Sequence, residues 1–205
     1  MKIVNQKVEL LWITPQPEKV IEQIGRTCYK SERFITDESA GKFCKNMVMA
    51  GHHAMIEHAV ASFRFVVDRG VSHEIVRHRL ASYAQESTRY VGYHRDVFGG
   101  EIKVIEPPGL GDVDRVLWER ACEEVEAAYM EMTRSGVKAE IARSVLPTCL
   151  ATELCMTANF REWRHFIKLR GAKAAHPQIR VIAKLVLGVL KVKAPNVFGD
   201  IVEEQ

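Results

Sequence analysis

Two features of this sequence predict an α+β fold. Strand-like and helix-like stretches are mixed along the chain, and they do not follow the strand–helix–strand rhythm of a parallel sheet. No repeat, low-complexity tract or linker marks a cut, so residues 1–205 read as one domain, long enough for a real core. Residues 2–13 are rich in β-branched and apolar side chains and predict a first strand. After Pro15 and Pro17, residues 17–29 predict a helix with Val20, Ile21, Ile24 and Cys28 on one side, and a second helix runs from Asp37 to Ala50 and stops at Gly51. Residues 61–68 alternate Phe63, Phe65 and Val67 inward as a strand, followed by a helical segment over 71–79.

In the second half, residues 102–106 predict a short strand ended by Pro107 and Pro108, then a long helix capped by Asp112 or Asp114. Residues 138–146 predict a short helix closed by Pro147, residues 148–158 the last strand, and residues 160–170 and 176–192 the last two helices.

Composition excludes several classes. The hydrophobic share is 47% and the charged share 27%, ordinary for a soluble globular protein. A net charge of +3 gives no broad basic field for duplex nucleic acid. The apolar run over 181–192 is broken by Lys184 and Lys191 and is too short for a bilayer. Five cysteines without a close pair, and no export signal in the first residues, predict reduced thiols in a cytoplasmic protein. The positive charge is unevenly placed. From Asn46 to Ile102 there are six arginines and no lysine, and six of the eight histidines lie there. Arginine is a rigid, always-charged fork suited to phosphate and carboxylate oxygens.

Two motifs are decoys. Gly109-Leu110-Gly111 between a strand and a helix imitates a dinucleotide fingerprint, but Asp114 occupies the third glycine position, where a carboxylate would oppose a pyrophosphate. In residues 51–59, His52, His53, Glu57 and His58 could suggest a metal, yet the spacing matches no zinc pattern, so no metal is expected. There the plainer reading is a helix end with a histidine at its carbonyls and Glu57 in a surface pair.

The informative stretch is residues 77–90, RHRLASYAQESTRY. Read as a helix end, Arg77, His78 and Arg79 point about 100° apart and address separate groups or separate ligands. Ser82, Ser87 and Thr88 supply neutral hydroxyl donors, and Arg89 returns a further guanidinium, which together make a cradle for a phosphomonoester.

Arg77-His78-Arg79, seven residues, then Ser87 and Arg89-Tyr90, resembles the signature of the flavin-dependent thymidylate synthases. The resemblance continues upstream in Gly51-His52 and Glu57-His58. Downstream it takes in Glu140 to Arg143, Leu146-Pro147, Asn159 to Arg161, His165 and Leu169-Arg170, so that it spans most of residues 51–180. It implies a central, mostly antiparallel, curved sheet flanked by helices. It also implies a reaction, the reductive methylation of dUMP to dTMP, with 5,10-methylenetetrahydrofolate as carbon donor, FAD carrying the hydride and NADPH as reductant.

The resemblance further implies roles. Glu74, Ile75, Val76, Arg77, Arg143 and Arg170 would contact dUMP, with Gln85, Glu86, Ser87, Thr88 and Arg89 closing over it from a neighbouring subunit of a homotetramer. Arg77, His78, Arg79, Gln85, Asn159, Phe160, Arg161 and His165 would hold FAD, and His52 would lie near flavin and folate. Ala54 takes a flavin-side position where many members carry a hydroxyl, so that contact is missing. The Ala84-Gln85 pair departs from a common Asn-Glu.

An arginine beside the uracil cannot act as an acid, since its pKa exceeds about 12, but it can stabilise a negatively charged ring. The resemblance gives this role to Arg170. Ser87 has no His-Asp relay in its local sequence, so it is expected to position dUMP rather than attack it, with no covalent enzyme–dUMP intermediate. Two other classes compete with the enzyme reading. One is a nucleotide or single-stranded nucleic-acid binding module stacking bases on Tyr83, Tyr90 and Tyr93, which the low net charge opposes. The other is a metal hydrolase on His52, Glu57 and His58.

Overall fold

The computed structural model describes residues 1–202. Its strands are β1 (Lys2–Ile3), β2 (Lys7–Ile13), β3 (Val60–Asp68), β4 (Ala81–Gln85), β5 (Lys103–Val104) and β6 (Ala151–Asn159). Its helices are α1 (Pro17–Thr27), α2 (Ser39–Met49), α3 (Arg69–Ile75), α4 (Asp112–Arg134), α5 (Ala139–Ala142), α6 (Phe160–Gly171), α7 (Pro177–Lys193) and α8 (Pro195–Phe198). The architecture is α+β, with a mostly antiparallel four-stranded sheet in the order β2-β3-β6-β4 and a parallel pair β1-β5.

The fold divides into two compact units, each assembled from separated stretches. The first comprises Met1–Lys7, Phe65–Val76 and Ala84–Leu154; the second comprises Val8–Arg64, Arg77–Tyr83 and the stretch from Cys155 onward.

Four expectations need correction. The single strand over 2–13 is two strands: β1 pairs with β5, Lys2 opposite Lys103 and Ile3 opposite Val104, whereas β2 joins the four-stranded sheet. The polar Asn5-Gln6 pair interrupts the apolar pattern between them. Helix α3 stops at Ile75, so Arg77, His78 and Arg79 are not helical, and residues 81–85 form an edge strand that polar composition concealed. Asp112 and Asp114 lie inside the first turn of α4, where carboxylates suit the helix dipole, and Gly111 is the N-cap. The helix over 138–146 is α5 followed by a 3-10 turn, Arg143–Val145.

In the second unit, Phe63, Trp163 and Phe166 form the centre of the core, with edge-to-face ring pairs at 5.0 and 5.6 Å. The Trp163 Nε1–H donates to the Ala61 carbonyl at 3.0 Å, which fastens α6 to β3. The buried Arg164 guanidinium holds both carboxylate oxygens of Asp200 at 2.6 Å, and this pairing keeps the Asp200 carboxyl below its ordinary range. Two contacts thus fix the rotation of α6, the helix that carries three of the expected flavin residues, Phe160, Arg161 and His165, and is capped by a fourth, Asn159.

In the first unit, Tyr93, Ile102, Tyr129 and Leu150 are buried together. The Glu126 carboxylate accepts from the Ile102 amide at 2.8 Å and from the chain's amino group at 2.5 Å, and the latter contact raises the amine's pKa. All five cysteines are free thiols, with Cys28 exposed, Cys44 and Cys122 buried, and the other two half-buried. Burial pushes the Cys44 and Cys122 thiols up to about 12, which makes them poor nucleophiles.

Candidate functional site

In the second unit the Arg77-His78-Arg79 triplet leaves α3 without helical pitch, and exposure alternates: both arginines are exposed and His78 is 4% exposed. His78 Nδ1 lies 2.7 Å from Glu162 Oε1, and the carboxylate is buried as well. On the other side of the ring, Arg170 Nε–H donates to His78 Nε2 at 3.2 Å. The Phe166 ring meets His78 edge-on at 5.0 Å, and the exposed His165 ring is 5.4 Å away. From β4, the Tyr83 hydroxyl donates to the His78 carbonyl at 2.6 Å. Burial lowers the His78 pKa, the hydrogen bond and charge of Glu162 oppose that, and Arg170 and His165 lower it further. Burial, with Glu162 adding to it, pushes the Tyr83 phenol up to about 12.

Helix α6 presents these groups because of how it starts. Asn159 caps it, its Oδ1 accepting from the Glu162 amide at 2.9 Å. Asn159-x-x-Glu162 has the spacing of a capping box, in which the glutamate would return to the cap; instead its carboxylate turns to His78. Phe160 is fully buried against Phe198, with ring centroids 5.1 Å apart, so its side chain serves the core. Arg161 pairs with Glu57 at 2.6 Å. His78, Glu162 and His165 have ligand atoms within 4.8 Å of one another, the spacing of a metal site, but both nitrogens of His78 are engaged by protein groups.

Gly51 and His52 close α2. Gly51 adopts φ +74°, its amide donates to the Val48 carbonyl at 3.1 Å, and the His52 amide donates to the Met47 carbonyl at 2.9 Å. These two bonds are a Schellman cap, which needs a residue free of a Cβ penalty at Gly51 and sets the direction of His52. His52 and Ala54 are exposed. His53, half-buried, has its pKa lowered by burial and by Arg164.

In the first unit, the loop after β4 carries the hydroxyls. Arg143 Nη1 donates to the buried Thr88 Oγ1 at 3.2 Å, and Arg89 pairs with Glu140 at 3.4 Å; both arginines are exposed. Ser87 Oγ accepts from the Arg89 amide at 3.3 Å, an internal turn contact. Gln85 donates to Ser72 Oγ at 3.0 Å and reaches Thr152 Oγ1 at 3.4 Å, and the Tyr93 hydroxyl donates to Glu86 Oε1 at 2.5 Å. Gln85 and Glu86 therefore anchor the loop, and Glu86 together with burial pushes the Tyr93 phenol far up. At the end of α3, Glu74 is half-buried and Ile75 fully buried, and Val76, which caps the helix, is exposed.

Sequence reasoning missed Glu162 and Tyr83 as parts of the His78 cluster. The signal available for Glu162 was its capping-box spacing from Asn159, and only the burial of His78 reveals where its carboxylate goes.

Comparison with known proteins agrees with the motif. Residues 9–196 match the family model described as thymidylate synthase complementing protein. The chain is 35% identical over 207 residues to a flavin-dependent thymidylate synthase of Geobacter sulfurreducens, with 95% of this chain and 86% of that protein covered. A protein of the same name from Mycolicibacterium vanbaalenii is 34% identical over 202 residues, covering 88% and 78%. Another from Corynebacterium diphtheriae is 34% identical over 204 residues, covering 89% and 78%.

Proposed function

The chain belongs to the thymidylate synthase complementing protein family, and from that premise we propose how its residues divide the work of a flavin-dependent thymidylate synthase. The enzyme methylates dUMP to dTMP with FAD as its cofactor. The observation that carries the residue assignment is the hydrogen-bonded series from the buried Glu162 and His78 to the half-buried Arg170, flanked by the exposed Arg77 and Arg79.

The second unit suits a flavin nucleotide. Arg77 and Arg79 are exposed and make no ion pair among the described residues, so their charge is available to a pyrophosphate. Bound FAD supplies the hydride that completes the methyl group, with NADPH as its reductant and 5,10-methylenetetrahydrofolate as carbon donor. Asn159, Arg161 and His165 line the flavin with those two arginines, the buried His78 and Phe160 support them from beneath, and His52 lies on the folate side with Ala54. Arg170, whose Nε–H is held by the His78 imidazole, presents its guanidinium to the uracil ring and stabilises the negative charge that C5 needs to attack a carbon electrophile.

The first unit suits the nucleotide monophosphate. Thr88, Ser87, Arg89 and Arg143 receive the phosphate; Gln85 and Glu86 hold their loop; Glu74 and Ile75 at the end of α3, with Val76 and Arg77 after it, border the pyrimidine. No histidine or carboxylate is bonded to Ser87 among the described residues, which favours a positioning hydroxyl and no covalent enzyme–dUMP intermediate. We extend this reading to a homotetramer with active sites shared between subunits, to a curved sheet, and to residues 1–205 acting as one domain, since neither unit is a continuous piece of chain. No helix among the described residues is long and apolar enough to cross a membrane, and a cytoplasmic setting without nucleic-acid partners fits the modest net charge of +3.

Flavin retention tests the assignment. The purified wild type is expected to be yellow, and Arg79→Ala to lose FAD about tenfold more readily, as removal of one charge-assisted contact implies. An equally yellow Arg79→Ala protein after the same dialysis removes Arg79 from the flavin site.

A further inference from the structure

Glu162 belongs to the histidine cluster but to none of the roles assigned above. We infer that Glu162 is a positioning residue: its buried carboxylate holds His78 as the Nδ1–H tautomer, so that Nε2 accepts from Arg170 and aims the Arg170 guanidinium. The inference rests on the reading of Arg170 as a dUMP-binding group.

The argument is one of donors and acceptors. An ionised carboxylate can accept only, so the 2.7 Å contact with Glu162 makes Nδ1 the donor. An arginine Nε can donate only, so the 3.2 Å contact makes Nε2 the acceptor. Of the three states open to an imidazole, only the neutral Nδ1–H tautomer satisfies both contacts. The Nε2–H tautomer and the imidazolium would each set two N–H groups against one another at the Arg170 contact. Which nitrogen carries the proton is thus chosen at one end of the ring and read at the other.

The helix makes the arrangement possible. Glu162, His165 or Phe166, and Arg170 recur on one face of α6, and long helical side chains lean toward the N-terminus, which brings Arg170 back over His78. The charged and titratable groups around the ring are Glu162, His165 and Arg170 from α6, and from β4 the Tyr83 hydroxyl bonds the His78 carbonyl. A buried carboxylate that served packing alone could be replaced by an apolar side chain of similar volume at little cost. One that sets a tautomer cannot.

The test uses titration of dUMP into purified FAD-loaded protein. Glu162→Leu is expected to weaken dUMP at least about tenfold, whereas Glu162→Gln, whose amide oxygen still accepts from Nδ1–H, changes it by less than about threefold. Added to Arg170→Ala, Glu162→Leu should cost no more than about a further twofold, since the two act as one unit. Full additivity, or a Glu162→Leu protein that binds like wild type, overturns the inference and leaves Arg170 in place. Unchanged dUMP affinity in Arg170→Ala overturns the reading of Arg170 itself. Should Glu162→Leu fail to fold, nitrogen-15 spectra of the histidine-labelled wild-type holoprotein decide. One neutral ring, identified by its loss in His78→Gln, is expected to carry its proton on Nδ1, and a proton on Nε2 or on both nitrogens overturns the inference.

Discussion

In the second unit, Arg170 is half-buried and bonded to an imidazole that is itself bonded to a buried carboxylate. In the first, Arg89 and Arg143 are exposed, one touching a half-exposed carboxylate and the other a threonine hydroxyl. The first arrangement is set before any ligand arrives. Its groups have lost their water and are locked by contacts at both ends, as suits a charge that must meet a transition state in one pose. The second gives up little when a phosphate takes over, because exposed ion pairs are weak and a hydroxyl contact is easily exchanged. The contrast separates a group that orients from groups that capture.

Four measurements can break or sharpen that contrast. The largest effect is expected from Arg170→Ala, which should lower kcat by about a hundred- to a thousandfold while FAD stays bound, the scale of losing one preorganised stabiliser of developing charge. Activity within a few-fold of wild type would take Arg170 out of the chemistry. Next, Arg143→Ala should raise the KM for dUMP by about ten- to a hundredfold and change kcat far less, as loss of a capture contact implies. A kcat effect larger than the KM effect would merge the two classes.

The third measurement is pH dependence. The folded protein lowers the His78 pKa below its ordinary value near 6.5, so folding favours the neutral ring. The unfolded chain then binds more protons in the window below about pH 6.5, and the stabilisation is complete above it and lost as pH falls through it. His53 shifts in the same direction and adds to the wild-type slope. Denaturation of wild type should therefore show an acid-side slope exceeding that of His78→Gln by at most about 1.4 kcal/mol per pH unit, one proton's worth. Parallel slopes would mean that His78 titrates alike in both states. The smallest effect belongs to Glu140→Gln. Its partner Arg89 is exposed, so stability should change by less than about 1 kcal/mol, the limit for such pairs, and dUMP affinity should rise slightly as Arg89 is released. A strongly destabilised variant would show that this pair is structural.

Much of this was legible in the residues. The Phe63, Phe65 and Val67 alternation found β3, all three being fully buried, and Gly51 marked a helix end whose left-handed turn directs His52. The order Arg77-His78-Arg79, Ser87, Arg89 identified the family before any coordinates. What stayed hidden was the direction of side chains. Residues 81–85 do not look like a strand because an edge strand with one half-exposed face needs few apolar residues. A helical reading of the Arg77 triplet rotates its three side chains around an axis, whereas α3 ends before it and only His78 turns inward.

By itself, the sequence determined the fold class, the family and the inventory of chemical groups, because apolar spacing and an uncommon run of arginines, histidines and hydroxyls are local properties. Only the tertiary structure decided that His78 faces inward to Glu162, 84 residues away, and to Arg170, 92 residues away. Whether an imidazole sits exposed between two arginines or buried between a carboxylate and a guanidinium depends on which elements the core brings together, and that burial sets its proton, its partners and its use.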